Sequence, residues 1–131
     1  MVRGIKSKRF GPYWQSMFMT AMCYQETTDH KNKLHVMKMN KYKTYYNSFR
    51  HVIPCKFCRD FINKVLMKKY PLDYSGRINL MRSLYIWKDQ VNKKLISQGC
   101  TKTKPSPPFE VILKRYNKLK ARCNPTVGKC V

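Results

Sequence analysis

Apolar residues in this chain recur every three or four positions and never alternate long enough to make a strand. Trp14, Met17, Phe18 and Ala21 stand at i, i+3, i+4 and i+7, and Gly11-Pro12 opens that stretch with a proline suited to a first helical position. After a polar loop from Thr27 to Asn32, a second helix is predicted from about Leu34 to Val52, with Tyr42, Tyr45, Tyr46 and Phe49 on one face. Pro54 stops it, because the residue before a proline is driven out of helical geometry. A third helix starts at Cys55 and Cys58 and carries Phe61, Ile62, Val65 and Leu66 inward. Tyr70 to Gly76 reads as a turn. A fourth helix runs from about Arg77 to Ser97 on a stripe of Met81, Leu84, Tyr85, Val91 and Leu95. A basic, proline-rich connector from Thr101 to Pro108 leads to a short fifth helix bearing Phe109, Ile112, Leu113 and Tyr116. The expected fold is all-α: a four-helix bundle with a short fifth helix and an irregular, cysteine-bearing C-terminal tail.

With 131 residues, the chain has room for one domain with a modest core. Hydrophobic residues make up 43%, which argues for a folded protein. Against that stand 28 Lys and Arg and only 6 Asp and Glu, a formal charge of +22. Such an excess repels itself and points to an anionic partner, nucleic acid included. No apolar run approaches the ~18 residues that a membrane span needs. The domain is expected over residues 10–121, between a basic N-terminal segment with no signal-peptide core and a tail at 122–131.

The segment Ile53-Pro54-Cys55-Lys56-Phe57-Cys58 carries the candidate chemistry. A helix N-terminus has unpaired N–H groups and partial positive charge, both of which stabilise a thiolate. Two intervening residues put both sulfurs on the first turn, within bridging reach, and Lys56 and Arg59 add positive charge. The same motif is half of a zinc site. Cys100, Cys123, Cys130, His30, His35 and His51 would have to supply the other two ligands, yet no second C-x-x-C and no H-x-x-x-H exists. Redox use is the preferred reading, with no resident metal.

Three blocks, in order, make the chain resemble the Erv/ALR family of FAD-linked sulfhydryl oxidases, in particular the small versions encoded by large DNA viruses. The first, Gly11 to Ala21, resembles G-x-x-x-W-x-x-L-H-x-x-A; the second, Phe49 to Cys58, resembles F-x-x-x-x-P-C-x-x-C. The third, Trp87 to Leu95, resembles F-H-N-x-V-N-x-x-L. The resemblance covers roughly residues 10–120. It departs from the family pattern at Phe18, where the family has histidine, and at Lys88-Asp89, where the family has His-Asn.

The resemblance implies an electron relay from client dithiols to Cys55–Cys58, then to FAD, then to O2 with release of H2O2. Cys55 would meet the incoming thiol and Cys58 the flavin. Gly11, Trp14, Phe18, Lys88, Asp89, Val91, Asn92 and Leu95 would bind the cofactor, with Asn92 at the adenine–ribose end. Lys88 either faces an anionic group of FAD or extends to solvent from the edge of its stripe. Client proteins or a thioredoxin-like carrier are the implied partners, in a homodimer. The implied location is the host cytoplasm or viral factory of an infected cell, or the virion.

Four cysteines remain. Either Cys100–Cys123 staples the fifth helix, or Cys123–Cys130 forms a shuttle pair on a flexible arm, which the proline and glycine between them favour. Cys23 is expected to be a buried free thiol. A basic helical nucleic-acid-binding protein, with or without structural zinc, is the alternative from another class: it predicts steeply salt-dependent binding and no flavin colour.

Overall fold

The computed structural model describes residues 11–26, 29–100 and 102–120, together with the backbone of 123–124 and 129–130. The expected all-helical class is the one observed. Helix α1 spans Gly11–Ala21 and α2 Lys33–Val52. Helix α3, Lys56–Phe61, runs without a break into a π-helical turn, Ile62–Leu66, and then into the short α4, Met67–Lys69. Helix α5 spans Arg77–Ser97 and α6 Phe109–Asn117.

The termini follow from local chemistry. Asn32 caps α2, its side-chain oxygen accepting from the Leu34 and His35 amides at 3.1 and 3.3 Å. Ahead of Pro54, Ile53 leaves helical geometry with ψ at 131°. Gly99 ends α5 in the left-handed region at φ 83°, which a side chain would resist. The Cys100 amide then reaches the Leu95 carbonyl and the Gly99 amide that of Ile96, both at 3.0 Å, closing a Schellman motif.

The core lies where α1 meets α5, the α3–π–α4 segment backs onto α2, and α6 closes over α5. Met17, Ala21, Tyr46, Ile53, Ile62, Leu66, Leu80, Met81, Leu84, Trp87 and Val91 are buried there. Burying a tyrosine or tryptophan requires a partner for its polar tip. The Tyr46 hydroxyl donates to the Met17 carbonyl at 2.9 Å and Trp87 Nε1 to the Tyr70 carbonyl at 2.7 Å. The first bond ties α2 to α1; the second fixes α5 against the turn that precedes it. Of the predicted fourth-helix stripe, Met81, Leu84 and Val91 are buried, while Tyr85 and Leu95 flank the core half-buried.

Three expectations are corrected. Val65 points outward, 39% exposed. A spacing of four overshoots a turn of about 3.6 residues in an α-helix and undershoots the wider π turn, so the deviations cancel. Cys58, Ile62 and Leu66 therefore stay in one buried row and Val65 rotates off it. Cys23 is exposed rather than buried: α1 ends at Ala21, and Tyr24 turns inward in its place, donating to the Tyr74 carbonyl. The tail is not wholly irregular, since Cys123–Asn124 pairs antiparallel with Lys129–Cys130. Among the described residues, no helix is long and apolar enough to cross a membrane.

The row explains a stability difference that thermal or urea unfolding can measure. Ile62→Ala should cost ~2–4 kcal/mol, as for a fully buried aliphatic side chain, whereas Val65→Ala should cost less than ~1 kcal/mol.

Candidate active site

Pro54 separates two helices that meet at the cysteine pair. Cys55 sits at the N-cap of α3 in extended geometry, φ −107° and ψ 106°. Its sulfur accepts the Cys58 backbone N–H at 3.1 Å. Cys58, one turn on, heads the buried row and is only 2% exposed, while Cys55 is half-buried. Both are free thiols.

This asymmetry divides the protonation of the pair. The Cys58 thiol donates to the Cys55 sulfur, and that bond is the main reason Cys55 is depressed to about 6. The N–H groups of Cys58 and Phe57 and the charge of Arg59 act in the same direction, against burial. Arg59 is held in place by donating from Nη1 to the Ile53 carbonyl at 2.6 Å. Lys56, read from sequence as a second cation on the pair, instead faces Asp60 across 3.8 Å on the exposed side. Cys58 is pushed up, first by its bond to Cys55, then by burial and by the Cys55 charge, with Lys88 opposing. One proton is thus shared so that the accessible sulfur is the nucleophile.

A pocket of about 200 Å³ is lined by Trp14 and Phe18 of α1, Lys88 and Asn92 of α5, and Arg115 and Tyr116 in α6. Phe18 and Tyr116 stack with centroids 5.4 Å apart, inclined by 28°. The Lys88 ammonium lies 5.2 Å from the centroid of the Trp14 ring. Asn92 donates to the Ser106 hydroxyl at 2.9 Å, tying the connector to the rim. Two larger hollows, about 590 and 470 Å³, flank Cys23 instead and hold neither thiol of the pair.

Of the predicted cofactor residues, the fold brings Trp14, Phe18, Lys88 and Asn92 to the pocket. Cys58 lies off its wall and is linked to it through Lys88, whose charge acts on the sulfur. Asp89 is engaged by Lys93 at 2.9 Å, Val91 is core, Leu95 is half-buried against it, and Gly11 begins α1. Tyr85, Ile112 and Tyr116, expected only as stripe residues of their helices, and Gln15, Ser106, Pro107 and Arg115, given no role from the sequence, complete the lining. The proline-rich connector was the available signal, since a stiff linker between α5 and α6 has to lie against something.

Cys100 is half-buried and free, with the Thr103 hydroxyl donating to its sulfur at 3.1 Å. That bond lowers its pKa. Cys123 and Cys130 are backbone partners in the two-residue ladder, and their side chains lie outside the described residues. Among the described residues, no three His, Cys, Asp or Glu side chains gather as metal ligands would.

A family model described as Erv1 / Alr matches residues 12–110, which takes in the cysteine pair, the pocket helices α1 and α5, and the connector. The chain belongs to the Erv1/Alr family. That family is one of sulfhydryl oxidases, generally FAD-binding and acting on dithiols. No curated protein matches the chain at a significant level.

The division of protonation is measurable by mass spectrometry of alkylated peptides. Iodoacetamide should modify Cys55 with a pH midpoint of about 6. At pH 7 that is roughly 30-fold more thiolate than an ordinary cysteine carries. Removing the donor with Cys58→Ala should move the midpoint upward; an unchanged midpoint would show that the Cys58 bond is not the cause.

Proposed function

We propose that this chain is an FAD-dependent thiol oxidase that makes disulfides in client proteins and passes the electrons to O2. The observation that carries the reading is the shared residue Lys88, which lines the aromatic pocket and also acts on the buried sulfur of the pair.

The residues of the pocket suit a flavin. Trp14, Phe18 and Tyr116 offer ring faces, Asn92 an amide, and Arg115 and Lys88 cations for phosphate or ribityl oxygens. A volume of about 200 Å³ takes a flat heteroaromatic ring rather than a whole dinucleotide. Bound FAD supplies a two-electron acceptor that is reoxidised by O2 with release of H2O2.

The protein's own steps are thiol–disulfide exchange. A client thiolate attacks Sγ of Cys55 in the oxidised pair; the Cys55–Cys58 bond breaks and Cys58 leaves as the thiolate. The second client thiol, deprotonated, then attacks the mixed disulfide, releasing Cys55 and leaving the client oxidised. Two protons and two electrons pass from the client dithiol. Cys58, buried and not open to clients, keeps its electrons for the cofactor side; Cys55, more accessible and more acidic, meets the client.

Cys123 and Cys130 are assigned as the shuttle that delivers client electrons, supported by their facing positions in the antiparallel register. Neighbouring partners of such a ladder lie at Cα separations that a disulfide tolerates. Homodimerisation is supported by Leu34 and Met37, one turn apart on α2 and both about half exposed. The charge of +22 supports a second reading, a basic bundle that holds nucleic acid, and an oxidase can do both.

Purified protein should be yellow, or become so with added FAD, and should consume O2 with dithiothreitol. Colourless protein that takes up no FAD would sink the oxidase reading. In active protein, Cys58→Ser should reduce turnover to background even with small dithiols. Cys130→Ser should slow oxidation of protein clients far more than of dithiothreitol; equal losses would remove the shuttle role. Nucleic-acid affinity that falls steeply between low and physiological salt would support the second reading, and its absence would discard it.

A further inference from the structure

Ser106 and Pro107 line the aromatic pocket but belong to no helix. They lie in the connector between α5 and α6, where prolines at 105, 107 and 108 remove backbone donors and bar helical geometry. Among the described residues, no backbone N–H from 104 to 107 is bonded to another backbone group. Side chains of α5 hold the segment instead. Asn92 donates from Nδ2 to the Ser106 hydroxyl at 2.9 Å, and the Tyr85 hydroxyl donates to the Pro107 carbonyl at 2.5 Å. Asn92 and Tyr85 stand seven residues apart, two turns along one face of α5, and both line the pocket themselves. Beyond them Phe109, the first residue of α6, packs with its ring centroid 5.6 Å from that of Tyr85 and 5.1 Å from the Arg82 guanidinium.

We propose that Asn92 and Tyr85 are positioning residues for the ligand of this pocket: they act through Ser106 and Pro107, latching the connector in place as a wall of the site. That the ligand is a flavin rests on the oxidase reading, whereas the latching rests on the two hydrogen bonds.

The other use of Asn92 is a direct bond to the adenine–ribose end of FAD. Its Nδ2 is already engaged, however, and about 200 Å³ holds a ring rather than a dinucleotide. The influence of Asn92 on the ligand therefore passes through the Ser106 hydroxyl, which accepts that bond and keeps its own proton to donate. Tyr85 ties the neighbouring residue by the one backbone group it has to offer, since proline carries a carbonyl and no N–H. The connector leads directly into α6, which brings Arg115 and Tyr116 to the pocket and stacks Tyr116 on Phe18 of α1. A slack connector would loosen that side of the pocket as well. A segment ordered beforehand spares the ligand the cost of ordering it, and so two hydrogen bonds that never touch the ligand become affinity.

The test measures the affinity of the full chain for FAD and for riboflavin, which has the ring without the adenine end, from the change in flavin fluorescence. Asn92→Ala and Tyr85→Phe should each weaken both flavins by about 3–10-fold, the worth of one hydrogen bond. Ser106→Ala should weaken them too, and adding Asn92→Ala to it should cost nothing more. Ser106→Thr, which keeps the hydroxyl, should bind as the wild type does. Losses that add between Asn92 and Ser106, or an Asn92→Ala that weakens FAD and spares riboflavin, would make Asn92 a ligand contact and overturn the proposal. Full affinity in Asn92→Ala or Tyr85→Phe overturns it as well. In the ligand-free chain, NMR relaxation reads the latch directly: the order parameter of the Ser106 amide should fall from the ~0.85 of rigid backbone to below ~0.6 when Tyr85→Phe and Asn92→Ala are combined. An unchanged order parameter sinks the idea. Should the combined variant fail to melt cooperatively, Ser106→Ala, a change in the connector alone, takes its place, read at the residue 106 amide with the same two outcomes. A chain that takes up neither flavin defeats the oxidase reading, and the relaxation measurement still decides whether the connector is latched.

Discussion

The geometry of the thiol pair depends on the joint at Ile53-Pro54. Proline forbids α2 to continue, and α3 begins two residues after it. Ile53 is fully buried, its amide donates to Phe49 at 3.0 Å, and its carbonyl takes Arg59 at 2.6 Å. Arg50 and Asn63 close the other side, each using its side chain: Arg50 Nη1 donates to Asn63 Oδ1 at 2.7 Å, and Asn63 Nδ2 to the Arg50 carbonyl at 3.0 Å. These bonds leave the start of α3 one orientation. Cys55 becomes the cap and Cys58 the first core residue, and the unequal environments of the two sulfurs follow from that placement.

The π turn carries the consequence inward. A regular helix would drift its apolar row around the axis; the widened turn from Ile62 to Leu66 keeps Cys58, Ile62 and Leu66 aligned against the core. Cys58 therefore sits at the end of a rigid, packed row rather than on a surface turn. Rigidity matters for a sulfur that has to face an acceptor in fixed geometry, since small misplacements are costly for electron and group transfer.

Much of the architecture was legible along the chain because helices declare themselves locally. Gly11-Pro12, Asn32, Pro54 and Gly99 lie at or beside helix boundaries, and each acts on the backbone within a few residues of itself, Asn32 through its capping side chain. The cysteine pair was legible for the same reason: Cys55 and Cys58 are three residues apart and need one helical turn to meet. Trp14 and Lys88 drew attention only through the resemblance of their blocks to a family pattern. Tyr116 was legible as part of the fifth helix's apolar stripe, but its place beside Phe18, and that of Arg115, was not, since nothing in α6 announces that its inner face turns toward α1.

The sequence by itself determined the helices, their order and the chemistry of the first turn of α3, all of which rest on interactions between residues a few positions apart. The tertiary structure decided what surrounds that turn. It set Val65 and Cys23 outside, because a π turn and an early helix stop change which face is inner. It brought Lys88 over Trp14, across more than seventy positions of chain, through the packing of α1 on α5. Electrostatics acts through space rather than along the backbone, so the ionisation of the pair could not be read until those helices were placed.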